Sequence, residues 1–167
     1  MARHYELVVV GSGPAGQKAG IQAAKLGRSV AIIDRSTSLG GMSIHHGAIP
    51  SKTLREAVLY YTGFRHRHAY RARRKKDLTM QNLMARCAEV IENESHVVIT
   101  QLERNQVEIL EGEASLSDAH TLRVSGTGQP ITADIIIIAT GTVPARPASV
   151  PFEDGLIVDA GGLGTFT

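Results

Sequence analysis

The sequence predicts an α/β fold built on a parallel β-sheet. Residues 5–11 form a short apolar run closed by glycine, and residues 29–35 form a second one, so both are predicted to be buried strands. Between them, residues 14–27 have the alanine spacing and the final glycine of a helix. Two parallel strands joined by one helix make a right-handed β-α-β unit, which indicates the fold class.

The first helix is predicted to carry its apolar side chains along one side. These side chains belong to Ala15, Ala19, Ala23 and Leu26. Gly27 follows directly, and we expect it to end the helix because glycine readily adopts the backbone conformation of a helix C-terminus.

The rest of the chain adds two longer helices and four strands. Apolar spacing predicts one helix that starts at Pro50 and Ser51 and a longer one over about 80–104. Three short strands are predicted at 106–110, 113–117 and 121–125, followed by the most apolar strand at 133–142.

Composition and charge argue against several classes of protein. The 167 residues carry a net charge of +2, which favours neither nucleic acid nor a membrane, and the single cysteine, Cys87, excludes an intrachain disulfide. Residues 65–76 hold seven Lys or Arg, but Tyr70 is their only aromatic residue, so we expect a solvated segment. The apolar run at 7–10 is too short for a signal peptide or a membrane span, and a cytoplasmic protein is expected.

Residues 11–16 match the G-x-G-x-x-G pattern of a dinucleotide-binding loop. The motif follows a strand and opens a helix, and the second strand ends at an acidic residue about 20 positions later. The first glycine permits a tight turn, the second leaves room for a pyrophosphate, and the third lets the helix pack closely on the sheet. The free N–H groups of the helix N-terminus would face the phosphates. The candidate residues are Gly11, Ser12, Gly13, Pro14, Ala15, Gly16, Asp34 and Arg35.

Asp34 is predicted to accept hydrogen bonds from ribose hydroxyls. Its charge would repel a 2′-phosphate, which argues against NADP at this position. The motif by itself does not distinguish FAD from NAD, and a glycine-rich turn without a ligand is the alternative interpretation.

Three stretches of the chain, in the same order and spacing, resemble a known family. They are "GSGPAGQKAGIQAAKLGRSVAIIDR", "LGGMSIHHGAIPSKTLREAV" and "IIIIATGTVPARP". They resemble the N-terminal FAD half of the pyridine nucleotide–disulfide oxidoreductases, and within that family most closely the bacterial soluble pyridine nucleotide transhydrogenases. The resemblance covers about residues 5–160. It implies a Rossmann-like FAD-binding domain, in which a parallel sheet with helices is joined by a small antiparallel β-meander, incomplete at the C-terminus.

The loop that carries the redox disulfide in most of this family has no cysteine here. The family pattern G-G-x-C-x-x-x-x-C places Ser43 and Ala48 at the two cysteine positions, and these side chains cannot form a disulfide. Cys87 lies in the apolar stripe of the predicted long helix and is expected to be a core residue. A flavin without a dithiol could still pass a hydride from one nicotinamide to another, which is transhydrogenation.

The resemblance implies further cofactor contacts. Glycines of the loop would approach the pyrophosphate, a lysine would lie near flavin N5, the segment 111–114 would pair with the adenine edge, and the turn 139–141 would lie against the ADP portion. The additional candidates are Gly40, Gly41, Met42, Ser43, Gly47, Lys52, Glu113, Ala114, Thr140 and Gly141, with Lys52 as the candidate catalytic residue. No metal site is expected, because His45 and His46 are adjacent and would point apart on a helix.

The predicted organisation is the first part of an FAD-binding domain at 1–147 and, at 148–167, a linker towards a missing NAD(P)-binding domain. The predicted function is hydride transfer between NADPH and NAD through FAD. The resemblance implies that nicotinamide dinucleotides bind only to the complete protein and that the complete protein is a homodimer. Two alternatives remain: a non-catalytic nucleotide-binding module that depends on a partner, and a single-Rossmann NAD dehydrogenase.

Overall fold

The computed structural model describes residues 3–61, 79–152, 157–159 and 162 of the chain. The helices are α1 (Pro14–Lys25), α2 (Met42–His45), α3 (Ala48–Tyr61) and α4 (Met80–Arg104). The strands are β1 (Arg3–Val10), β2 (Val30–Asp34), β3 (Glu108–Glu111), β4 (Ala114–Leu116), β5 (Thr121–Val124) and β6 (Ile131–Ile138). The basic stretch at 65–76 lies outside the described residues, so its solvated character stays a prediction.

The chain divides into two compact units. The first contains residues 1–42 and 94–142, and the second contains residues 43–93 and 143–167. Within the second unit, the Arg146 guanidinium donates to the Asp159 carboxylate over 2.8 Å, so an ion pair joins the two sides of the predicted boundary at residue 147. That boundary stays a prediction.

A single six-stranded sheet forms the first unit, in the order β3-β2-β1-β6-β5-β4. The first four strands are parallel, as the β-α-β pattern predicts, and β5 and β4 follow in antiparallel orientation. The α/β fold class is therefore confirmed. The antiparallel strands extend the same sheet, because β5 pairs with the first two residues of β6.

The centre of the sheet is almost completely buried. Val8 and Val9 of β1 and Ala31 and Ile32 of β2 have no exposed surface. Parallel strands covered on both faces are expected to be continuous apolar runs rather than alternating ones, and this is the pattern that the sequence shows.

Helix α1 packs most closely on the sheet with its glycines, whereas Ala19 and Ala23 of its predicted apolar side are half-buried. Gly16, Gln17 and Gly20 are the buried residues of this helix, whereas the Leu26 side chain, just beyond it, is 70% exposed. A Cβ atom added at Gly16 would lie 1.9 Å from the carbonyl oxygen of Gly11. The helix therefore approaches the end of β1 so closely that no side chain fits at Gly16.

The end of α1 is confirmed at Gly27. This glycine has a φ of +79°, and its N–H donates to the Ala24 carbonyl while the Arg28 N–H donates to the Ala23 carbonyl. These two bonds form a Schellman motif, which satisfies carbonyls that the last helical turn leaves without a partner.

The sequence pattern locates the start of α4 correctly and the start of α3 less accurately. Helix α4 covers the predicted range, but α3 begins at Ala48, two residues before the predicted start at Pro50. Proline is tolerated in the first turn because N–H groups there have no intrahelical acceptor, so Pro50 does not have to be the first residue. In the described part of the chain, no helix combines the length and apolarity that crossing a membrane requires.

Gly16→Ala tests the close contact between α1 and the sheet. The added methyl group would overlap the Gly11 carbonyl, so we expect the free energy of unfolding in urea to fall by about 1–3 kcal/mol or more. Gly128→Ala is the matched control, because a Cβ at Gly128 would meet no atom within 4 Å. Equal stabilities of the two variants would contradict this packing.

Candidate nucleotide-binding site

The loop between β1 and α1 is held in place at Ser12, whose side chain is almost completely buried. The Ser12 N–H donates to the Asp34 carboxylate at 2.7 Å, and the Ser12 carbonyl accepts a bond of 2.7 Å from the Gln17 side-chain amide. The Ser12 hydroxyl accepts a bond of 3.2 Å from the Gly40 N–H. Three predicted parts of the site, namely the fingerprint loop, the acidic end of β2 and the later glycine segment, are thus brought together.

At two glycines of this region, other backbone atoms lie so close that a side chain would not fit. At Gly11, with a φ of +109°, a Cβ would lie 2.3 Å from the Ala139 carbonyl oxygen and 3.2 Å from Cα of Thr140. At Gly41, with a φ of +65°, a Cβ would lie 2.9 Å from Cα of Gly13. Any larger residue at these two positions would push the strands and loops apart.

Gly13 differs from its neighbours because a Cβ there would meet no atom of the described residues within 4 Å. Its backbone is extended, with φ −65° and ψ 176°, so the need for glycine does not come from the fold. The space next to Gly13 is open. This is the arrangement expected if the missing side chain leaves room for a phosphate.

The N-terminus of α1 at Gly13 is electrostatically suited to an anion. No side chain caps it, the first turn contains no acidic residue, and Pro14 occupies the start of the helix. Uncapped N–H groups together with the helix dipole favour negative charge at this position.

Asp34 has a structural role that the sequence did not reveal. Its carboxylate accepts the Ser12 N–H at one oxygen and the Ser36 N–H, at 2.9 Å, at the other. Each carboxylate oxygen has a second lone pair, and the side chain is half-buried, so acceptor capacity remains for a ligand. The ribose contact itself stays a prediction.

A cavity of about 560 Å³ lies beyond the end of β2 and contains two predicted residues, Arg35 and Glu113. Its wall also includes Gly112, whose φ is +144° and whose Cβ would lie 2.4 Å from the Ser125 carbonyl oxygen. The sequence analysis missed Ser125, which lines the same cavity. Its position after a strand gave no signal of a functional role.

The backbone of Glu113 is already paired. Its N–H donates to the Ser125 hydroxyl at 2.8 Å, and its carbonyl accepts the Ser125 N–H at 3.0 Å. Hydrogen-bonded and non-hydrogen-bonded pairs alternate along antiparallel strands, so the backbone groups of Ala114 point to the other side of β4, which is an edge of the sheet among the described strands. Of the two residues predicted to pair with an adenine, Ala114 is the one with outward-facing backbone groups.

Helix α4 supports the glycine segment through Ser95, which the sequence analysis also missed. The buried Ser95 hydroxyl donates to the Leu39 carbonyl at 2.7 Å and lies 3.0 Å from the Ser38 hydroxyl. Since Ser12 accepts the Gly40 N–H, both sides of the Leu39–Gly40 peptide are fixed by serine hydroxyls.

The sequence profile of the pyridine nucleotide-disulphide oxidoreductases matches residues 5–161. The chain belongs to this family. A soluble pyridine nucleotide transhydrogenase of Mycobacterium bovis is 48% identical over 96% of this chain and 36% of its own length, and one from Vibrio vulnificus is 34% identical over 97% and 36%. The chain thus spans about a third of the length of these curated relatives.

A solved structure similar to this chain is that of the HOCl-induced flavoprotein disulfide reductase RclA from Escherichia coli. It matches with a TM-score of 0.72 at 27% identity, over 86% of this chain and 30% of that one. This structural similarity agrees with the sequence match and confirms the predicted α/β fold.

The loop at 40–48 contains no thiol. Ser43 lies in α2, and Ala48 is the first residue of α3. Lys52 lies one turn further along α3, with an exposed side chain. Its position beside a flavin stays a prediction, as do the cofactor contacts of Met42, Gly47 and Gly141.

Cys87, the single cysteine, is a buried residue of the second unit. Its Sγ–H donates weakly to the Pro50 carbonyl over 3.7 Å, which links α4 to α3. Burial raises the pKa of the Cys87 thiol, so the nucleophilic thiolate is scarce at neutral pH. These properties agree with the predicted packing role.

Ser95→Ala is expected to loosen the glycine segment. Loss of the bond to the Leu39 carbonyl should lower the free energy of unfolding in urea by about 1–2 kcal/mol. Ser38→Ala is the control, since it removes a neighbouring hydroxyl and keeps the bond from Ser95 to Leu39. A larger loss in the control than in Ser95→Ala would refute the supporting role of α4.

The thiol of Cys87 is expected to be unreactive in the folded chain. A disulfide exchange reagent at neutral pH should modify no thiol in the native protein and one per chain after unfolding in denaturant, because the raised pKa and the burial both suppress attack. Rapid stoichiometric modification of the native chain would be inconsistent with this environment.

Proposed function

We propose that the chain is the FAD-binding N-terminal portion of a soluble NAD(P) transhydrogenase-like flavoprotein. The observation that carries this proposal is the open space at Gly13, which lies at a helix N-terminus without a side-chain cap among the described residues. The transhydrogenases of 48% and 34% identity support the more specific assignment. Hydride transfer between nicotinamide dinucleotides, a homodimeric assembly and a cytoplasmic location belong to the proposal for the complete protein.

The residues present fit the dinucleotide half of FAD. The fingerprint loop at 11–16 and Gly41 would hold the pyrophosphate, and Asp34 would accept the ribose hydroxyls with its remaining lone pairs. Ala114 would offer its outward-facing backbone groups to the adenine, and the Arg35 side chain would border it. When bound, FAD supplies a two-electron carrier that accepts and donates hydride.

The task of the chain's own residues is to bind and orient. The helix N-terminus and the glycine backbone would neutralise the phosphates, and Lys52 would place a cation near the ring, where it favours negative charge. Since Ser43 and Ala48 cannot form a disulfide, no protein redox group in this loop would take electrons from the cofactor. This argues for transfer between nicotinamides and against disulfide reduction.

The visible absorbance of the purified chain distinguishes the candidate functions. A flavin band supports the proposal, and a colourless chain that retains NAD supports the single-domain NAD dehydrogenase. A chain that binds neither cofactor supports the partner-dependent module.

Gly13→Ala provides the sharpest test of the site. The methyl group would meet no atom within 4 Å in the part of the chain that the structure describes, so the free energy of unfolding should stay within about 1 kcal/mol of the wild-type value. It would fill the proposed phosphate space, so the Kd for FAD, measured by quenching of flavin fluorescence, should rise about tenfold or more. Gly128→Ala serves as the control, and unchanged FAD affinity in Gly13→Ala would rule out this phosphate site.

A further inference from the structure

Gln17 is a buried polar residue on the sheet-facing side of α1. Its neighbours on that side are Gly16 and Gly20, which pack closely against the strands. Its side-chain amide reaches back past the start of the helix and donates to the Ser12 carbonyl at 2.7 Å. Burying a polar side chain is costly unless it is hydrogen-bonded, so this bond explains why the position tolerates glutamine.

The bond fixes the orientation of the Ser12–Gly13 peptide. The described residues contain no cis peptide bond, so the carbonyl of Ser12 and the N–H of Gly13 point in opposite directions. With the carbonyl turned towards Gln17, the Gly13 N–H points away from it. Among the described residues this N–H has no acceptor.

The opposite orientation of the peptide would harm an anion site. A flip would present the negative end of the Ser12 carbonyl where the N–H now lies, beside the open space at Gly13. The other two bonds of Ser12 do not prevent such a flip. The Ser12 N–H, which donates to Asp34, belongs to the preceding peptide, and the Ser12 hydroxyl, which accepts the Gly40 N–H, belongs to the side chain.

We propose that Gln17 is a positioning residue for phosphate binding, which holds the Ser12 carbonyl so that the Gly13 N–H is turned towards the pyrophosphate. This inference rests on the proposed FAD site and assigns a role to a residue outside the fingerprint motif. Gln17 does not touch the cofactor in this account. It acts through the peptide that precedes the helix.

Gln17→Met tests the proposal, because methionine has a similar size and no donor. The Kd for FAD should rise about tenfold, as expected for the loss of one hydrogen bond. In ¹H–¹⁵N spectra of the chain, inorganic pyrophosphate should shift the Gly13 amide signal in the wild type and much less in the variant. Gln22→Met, at an exposed position of the same helix, is the control and should behave as the wild type.

The outcomes separate this inference from the proposed function. If the wild-type chain fails to bind FAD, the proposed function fails. If the wild type binds and Gln17→Met binds equally well with an unchanged Gly13 response, the role of Gln17 is refuted alone.

A second variant covers the case in which Gln17→Met does not fold. Gln17→Ala removes the side-chain amide and adds no other donor, so nothing bonds the Ser12 carbonyl and the same loss of the Gly13 response is expected. A Gly13 response equal to that of the wild type in this variant would refute the proposal.

Discussion

The three hydrogen bonds of Ser12 are the constraint on which the rest of the site depends. Its N–H is bound by Asp34 at the end of β2, its carbonyl by Gln17 in α1, and its hydroxyl receives the Gly40 N–H. Because the residue is almost completely buried, leaving any of these groups unpaired would be costly, so the loop is confined to one conformation. That conformation leaves the N–H of the next residue, Gly13, facing outwards.

The loop at 40–48 contains no thiol, although the chain carries a complete fingerprint loop at 11–16. The family match spans residues 5–161, and the two positions at which the family resemblance implies cysteines hold Ser43 and Ala48. Cys87 does not replace them, because it is buried in the second unit with its pKa raised. If the proposed function holds, the flavin itself would carry the hydride, because this loop supplies no thiol.

Much of the fold could be predicted because its signals are local. Continuous apolar runs identified the parallel strands, apolar spacing identified α4, and Gly27 identified the end of α1. The buried side of α1 was not apparent, because the pattern of alanines ends at an exposed Leu26 while Gly16 and Gly20 form the contact with the sheet. Hydrophobicity does not report how closely a backbone approaches another backbone.

The sequence predicts the glycine motif of the candidate site, but it does not predict the side chains that hold this motif in place. The sequence identified Gly13 and Asp34 through their spacing, but Gln17 and Ser95 act on backbone carbonyls by side-chain bonds that have no motif. Ser95 binds a residue 56 positions away, so only the folded chain brings the two together. The paired backbone of Glu113 is likewise decided by Ser125 on the neighbouring strand.

Amide hydrogen exchange at single residues tests the central claim most directly. In the chain without ligand, the Ser12 amide should exchange slowly because Asp34 holds it, and the Gly13 amide should exchange fast. Saturating FAD should slow exchange at Gly13 and leave the exposed Gly128 unchanged. If FAD binds and exchange at Gly13 stays fast, the cofactor does not lie on this loop and the account is wrong.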